Sequence, residues 1–490
     1  MNKLKPEPGT SIGRQSYLQK QFNINVIDAE LNRLSKQYDL NKSDLENLAN
    51  GLISKYNSVI TASTQDGEVK DARVDLGGTT HDSLNERLTT DLETLANTLA
   101  SNYADVKADY NSKSSDIQGA FPAYYDDDMD AVTQLSTGTN AVNIACITDN
   151  HWQMAVQGQH SLRHYSYIAR ASRLAKLDAI VANGDNVNGY YNRDEVFTEN
   201  RQALQTIFNL ASVDTPVLIN RGNHDSGRGQ DSAGGTGLDA NNSLTDAEMK
   251  QLYRTADCAY GEVRDGDSLY WFKDLDDKKV RIIGLDSFDL PETLDSNGNY
   301  KYDTLNTSAY RQDQLNWLAN TALKTNYQVV IFTHCPLPNT FQYILNGNAG
   351  TTQYNSDVLI KILQAFCSGT SYSIDDESRE FSVTLSADFS SQGQGTLIGM
   401  ISGHVHRDGE EIIYGGLHLW EQTCSLCNAG DPYSRADDTV TEDAWDIISI
   451  DTNAKTIHCH RFGAGKDRAF KYFAGLGSTD TVLTAGSVTN

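Results

Sequence analysis

From residue 141 onward the sequence predicts a layered α/β domain, and upstream of it a helical N-terminal region. Three observations carry that expectation. Short apolar runs, among them "NIACIT", "LDAIVANGD", "TPVLINRGNHD", "KVRIIGLDS", "QVVIFTHCP" and "GTLIGMISGHVH", alternate with helical stretches such as "RQDQLNWLANTAL". Polar residues gather at the C-terminal end of each run, where open sheets place their ligands. Before residue 116 the apolar residues instead fall at helical spacing.

Taken in order, residues 1–22 are polar. Leu45, Leu48, Leu52, Tyr56 and Val59 then mark a helix with Ser43 as its N-cap. The segment "EVKDARVDLGGTTHDSLNERL" brings glycine turns and short alternation. A longer stripe follows, through Leu84, Leu88, Leu92, Leu95, Leu99, Tyr103, Val106 and Tyr110. Its steps of three and four sum to an eleven-residue period, which makes a nearly straight or slightly right-handed supercoil. Rich in Thr, Asn and Asp, such a helix needs a partner along its stripe. The partner is either another helix of the same chain or further copies in a coiled-coil stalk. The reading is therefore 1–115 as a helical attachment or oligomerisation region, 116–140 as an acidic linker, 141–470 as the α/β domain and 471–490 as a polar tail. Two Gly/Asn/Ser-rich insertions, near 226–246 and 343–356, are expected to rim a binding site. "DAWDIISIDTNAKTIHCHRFGAG" reads as closing strands.

The 490 residues carry a formal charge of −25, which argues against a nucleic-acid binder. An anionic substrate would need local positive charge, such as metal ions. The start has no apolar h-region and no stretch nears 18 apolar residues, so neither a signal peptide nor membrane insertion is expected. Seven Cys, an odd number, imply no dense disulfide framework. Cys424 and Cys427 form a lone CxxC, structural or else metal-binding or redox-active.

Five strand ends bear chemistry: Asp149-x-His151, Gly184-Asp185, Gly222-Asn223-His224-Asp225, His334, and Gly403-His404-Val405-His406. A lone Gly-Asp or a single buried His is commonplace. Here, however, five of eleven His sit at the ends of apolar runs beside Gly or Asp. Mixed imidazole and carboxylate donors without thiolate suit Mn²⁺, Fe or Zn²⁺. Two such ions clamp the attacking and phosphoryl oxygens of a phosphoester.

In that order these motifs resemble the calcineurin-like metallophosphoesterase superfamily, over about residues 141–470. The resemblance implies a central β-sandwich flanked by helices and hydrolysis of a phosphoester at two divalent ions (Mn, Fe or Zn). Carried over, Asp149, His151 and His406 would hold the first ion, Asp185 would bridge, and Asn223, His334 and His404 would complete the second. His224 would serve as general acid or stabilise phosphoryl charge, with Asp225 orienting it. Asn223 also falls beside the substrate. Arg221 is read either as a phosphate contact or as an ordinary surface Arg.

The segment "EVKDARVDLGGTTHDSLNERL" resembles a repeated element of tail-fibre and upper baseplate proteins of phages that infect Gram-positive bacteria, where it neighbours trimeric helical stalks. That resemblance implies a homotrimeric tail protein, made in the host cytoplasm, carried on the virion and acting at the host surface on teichoic acid. The other readings are a cellular phosphoesterase acting on nucleotides or other small phosphoesters, and a non-catalytic receptor-binding tail protein.

Overall fold

The structure is a computed structural model that describes residues 121–135, 141–154, 160–190, 192–229, 237–341, 352–427 and 433–476, with scattered residues between 73 and 94. The chain divides into two units, Met1–Gly119 and Ala120–Asn490.

In the first unit, Val74 bridges Thr80 in antiparallel sense around Gly78, whose φ of 86° needs a residue without Cβ. Residues 86, 87, 90, 91 and 94 are helical, and Arg87 pairs with Asp91 one turn on, Nε to Oδ2 2.9 Å. A turn lies here as the sequence suggested. The residues of the long stripe itself, Leu84 to Tyr110, the helix near 43–59, and with them the stalk or hairpin question, lie outside the described residues.

In the second unit the described residues form two six-stranded sheets packed face to face. The first runs β16-β15-β14-β1-β2-β3, with β1 Val142–Ile147, β2 Ala179–Asn183, β3 Val217–Asn220, β14 Ala444–Asp451, β15 Thr456–Gly463 and β16 Arg468–Lys471. The second runs β12-β13-β11-β7-β5-β4, with β4 Trp271–Leu275, β5 Val280–Gly284, β7 Gln328–Phe332, β11 Leu397–Ser402, β12 Gly409–Ile413 and β13 Leu417–Glu421. β1, β2 and β3 are parallel, as are β5, β7, β11 and β13. The closing strands β14 and β15 lie where the sequence suggested, antiparallel beside β1.

Strand alternation sorts side chains between layers. Val142, Ile144 and Cys146 of β1 face the second sheet, meeting Val280, Ile282, Val330, Phe332 and Ile401 in a shared core. Ala145 and Ile147 face the other way, under the helices. There lie α2 Leu162–Leu174, α3 Arg193–Leu210 and α4 Asp246–Tyr253. Ile283, Val329 and Ile331 face outward from the second sheet, beneath α5 Gln312–Trp317, α6 Ser356–Ser368 and a hairpin of β9 Ser371–Asp376 and β10 Val383–Asp388. Layering is thus helix, sheet, sheet, helix, because both faces of each parallel strand must be covered. Among the described residues no helix is long and apolar enough to cross a membrane.

The linker expectation needs correction. Ala123–Tyr125 forms a 3-10 turn and Asp126–Leu135 a helix, α1. Tyr125 is fully buried, its ring 4.5 Å from that of Phe462 on β15. Acidic composition suggested solvent, but Asp126, Asp127 and Asp128 occupy α1's first turn, where they favour its N-terminus, while Met129 and Val132 face the core. Of the two insertions, the described parts carry short elements. Ala240–Asn242 is a 3-10 turn, and β8 Thr352–Tyr354 pairs with β6 Thr307–Ala309. At the far end Tyr472 is buried and donates to Gln328 Oε1 at 2.7 Å. Residues 477–490 lie outside the described residues.

Candidate metal centre

All five motifs emerge from C-terminal strand ends, those of β1, β2 and β3 in one sheet and of β7 and β11 in the other. They converge at one lip of the sandwich. The backbone there is strained: Asp149, His151, Asp185, His404 and His406 all have positive φ, between 43° and 77°. Residues with Cβ pay for that conformation, and such costs cluster at functional sites. Gly222 and Gly403 permit the close approach of strands, since a Cβ on Gly222 would collide with Asp185 and one on Gly403 with Thr148 and Asp149.

His151 Nε2 lies 3.1 Å from His406 Nε2, and His406 Nε2 lies 3.3 Å from Asp149 Oδ1. On the other side, His334 Nε2 is 3.2 Å from Asp185 Oδ2 and 3.2 Å from Asn223 Oδ1, while His404 Nδ1 is 2.8 Å from the same Asn223 oxygen. Asp185 Oδ2 is also 3.7 Å from His151 Nε2 and 3.8 Å from His224 Nε2. Donor atoms thus gather as Asp149–His151–His406, as Asp185–His334–His404 and as His151–Asp185–His224, with Asp185 common to two groups. This donor set, nitrogen and oxygen and buried, fits two adjacent divalent ions. Neighbouring groups orient the donors. His404 N–H donates to Asp149, Thr148 Oγ1 donates to Asp149 Oδ2 at 2.7 Å, and His334 Nδ1 donates to Asn183 O at 2.8 Å.

Charge balance in the metal-free site follows from burial and neighbours. Burial opposes the charge of His334, but Asp185 and Asp149 outweigh it and raise its pKa to about 9. Burial, then the charge of His224, press His151 down to about 3; burial, then His334, press His404 to about 4. His334 holds its proton more tightly folded than unfolded. Its stabilisation is therefore complete below the unfolded value near 6.5 and is lost as pH rises through about 9. His151 and His404 act oppositely, stabilising above about 6.5 and losing that contribution as pH falls toward 4 and 3. Chelator-treated protein is expected to melt highest near neutrality and lower on both flanks. Because a bound cation replaces the His334 proton, added Mn²⁺ should remove the alkaline decline. Thermal melts from pH 4 to 9 with and without metal check this; an alkaline decline unaffected by metal would contradict it.

Two expected roles need correction. Asp225 does not reach the His224 ring. Its carboxylate accepts from Asn186 N at 2.6 Å, Asn186 Nδ2 at 2.9 Å, Gly222 N at 2.8 Å and Tyr253 OH at 3.0 Å, so it staples the loops together. The backbone carbonyl of Asn188 orients His224 instead, accepting from Nδ1 at 2.8 Å. Sequence carries no signal for a main-chain acceptor. Arg221 is neither a phosphate contact nor a surface residue. It is buried, its donors taken by Asp286 (Nε to Oδ1 3.1 Å), Asp246 and the Phe288 carbonyl. Arg221→Ala would strand the fully buried Asp286 carboxylate and is expected to cost roughly 3–5 kcal/mol in denaturant unfolding, whereas a substrate-binding role would show as a KM effect at unchanged stability. Cys424 and Cys427 are buried, Cys424 lying beside His406.

Such a two-ion pocket at the lip of a sandwich defines a metal-dependent hydrolase of phosphoesters. Residues 142–408 match the calcineurin-like phosphoesterase family, and the chain belongs to it. No curated protein sequence matches the chain. Among solved structures it is similar to a dimetal phosphatase from Danio rerio, at 12% identity and a TM-score of 0.42, over 68% of this chain and 99% of that one. The protein is a phosphoric ester hydrolase whose site takes two divalent metal ions.

Proposed function

We propose that Asp149, His151 and His406 would hold one ion and Asn223, His334 and His404 the second, with the Asp185 carboxylate serving both. The observation that carries this is the place of Asp185 Oδ2 between the two sets, 3.7 Å from His151 Nε2 on one side and 3.2 Å from His334 Nε2 on the other. When bound, the ions supply Lewis-acid charge for the phosphoryl oxygens and acidify the attacking water. The chain's own contribution centres on His224. With Nδ1 tied to Asn188 O, its Nε2 faces Asp185 and the reacting centre. A protonated Nε2 there hands its proton to the leaving oxygen, and the imidazolium balances phosphoryl charge until then.

The reading extends to a phosphodiesterase carried on a phage tail, attached through the N-terminal region as a homotrimer and acting on teichoic acid at the host surface. Its support is the likeness of residues 68–88 to tail-fibre and baseplate segments, together with a helical stripe that needs partners. The test is release of polyol phosphate from purified wall teichoic acid, set beside bis(p-nitrophenyl) phosphate, p-nitrophenyl phosphate and a nucleoside monophosphate, each with Mn²⁺ and with chelator. Metal-dependent cleavage of teichoic acid and the aryl diester supports the reading. Turnover of monoesters alone would replace it with a phosphatase acting on small phosphoesters.

A further inference from the structure

The residues just beyond the centre form a second, outer structure. Trp152 bridges Val187 in parallel sense, Trp152 N donates to Asn186 O at 3.2 Å, and Asn188 N donates to Trp152 O at 3.0 Å. Asn188 Nδ2 adds a bond to Gln153 Oε1 at 2.8 Å. Two segments, 152–154 and 186–190, therefore extend the β1–β2 pairing past the metal donors and stand as a rim.

Each segment ends in an exposed apolar side chain. Met154 is 45% exposed and Tyr190 39%, in a domain that buries nearly all its large apolar groups. The Tyr190 ring stands edge-on to the His224 imidazole, centroids 5.6 Å apart and planes at 68°. Its backbone is pinned on both sides. Two residues before it, Asn188 O holds His224; two residues after it, Asn192 caps α3 by accepting from Asp194 N and Glu195 N. Gly189, with φ of 67°, lets that segment lie against the His224 carbonyl, where a Cβ would collide. The same short stretch thus fixes the proton donor and presents an aromatic face next to it.

We propose that Tyr190 is a specificity residue for the leaving group, and that the preferred leaving group carries a ring with an apolar face, such as a sugar or aryl group. This rests on the phosphodiesterase reading and on His224 as proton donor. A group protonated by His224 must leave past the atoms that flank His224, and the exposed Tyr190 ring is among them. A ring laid on the Tyr190 face gains dispersion and CH–π contact that a small flexible leaving group lacks. Within the teichoic-acid reading, that points to cleavage on the side of a sugar-bearing repeat rather than a bare polyol.

The test compares two diesters that share a methyl group and whose leaving oxygens both need a proton, methyl phenyl phosphate and methyl 2,2,2-trifluoroethyl phosphate. Each is assayed with wild-type protein and the Tyr190→Ala, Tyr190→Phe and Tyr190→Trp variants, at saturating Mn²⁺ with metal content measured. Tyr190→Ala is expected to raise KM for the phenyl ester roughly three- to tenfold with kcat little changed, and to leave the trifluoroethyl ester unaffected. Tyr190→Phe and Tyr190→Trp should retain the wild-type KM. Equal losses on both esters would overturn the proposal, showing that Tyr190 merely supports His224; so would no change on either. Wild-type protein that turns over neither ester would overturn the phosphodiesterase reading itself, and this proposal with it.

Discussion

Asp185→Ala is expected to lower kcat/KM by about a thousandfold or more, since the contribution of such metal charge is several kcal/mol and each 1.4 kcal/mol is tenfold. Two causes combine. The carboxylate sits between the His151 and His334 nitrogens, 3.7 and 3.2 Å from Oδ2, so its loss removes an anion that faces donors of both sets. Its Oδ1 also accepts from His224 N at 2.8 Å and shapes the loop that carries the proton donor. Asp185→Asn separates the two. Asn tolerates the left-handed backbone at 185, where φ is 50°, and keeps an acceptor for His224 N, but it carries no charge. It should fold like wild type and still bind fewer than two ions. Metal content by mass spectrometry alongside turnover checks this. An Asp185→Asn protein that retained both ions and near-normal turnover would show that Asp185 does not span them.

The second large effect is at His224. His224→Ala is expected to lower kcat about 10²- to 10⁴-fold on a diester with an alkoxide leaving group, and much less on a nitrophenyl ester, whose leaving group needs little protonation. Metal content should stay at two per chain, because His224 Nε2 lies 3.8 Å from Asp185 Oδ2 and the other donors are complete without it. That split between chemistry and metal binding distinguishes a proton donor from a ligand. Loss of an ion together with equal losses on both esters would assign His224 to the metal instead.

The centre was legible in the sequence because its residues are local in kind. A donor at the end of a buried strand shows as His, Asp or Asn closing an apolar run, and all seven expected donors converge, Asp149 with His151 at the end of β1 and His404 with His406 at the end of β11. The α/β layering was legible for a related reason, since parallel strands buried on both faces read as continuous apolar runs, whereas the pairing of two sheets in a sandwich came only through the family resemblance. What was missed depends on distant partners. Asp225 stands next to His224 in sequence, yet the left-handed turns at 149, 151 and 185 bring Asn186 and Gly222 to its carboxylate first. Arg221 looked exposed beside a motif, but Asp286, sixty-five residues on, closes over it. α1 hid in an acidic stretch because only Met129 and Val132, spaced three apart, signal its buried face. Tyr190 has no signal at all in the sequence; its meaning comes from the ring it stands against.

The central claim is that two ions lie side by side on Asp185. Anomalous diffraction from crystals grown with Mn²⁺ addresses it most directly. The expected result is two peaks about 3.5–4 Å apart, both in contact with the Asp185 carboxylate, one flanked by Asp149, His151 and His406 and the other by Asn223, His334 and His404. A single peak, or ions held instead at the separate His160–Asp437–Glu442 group, would contradict it.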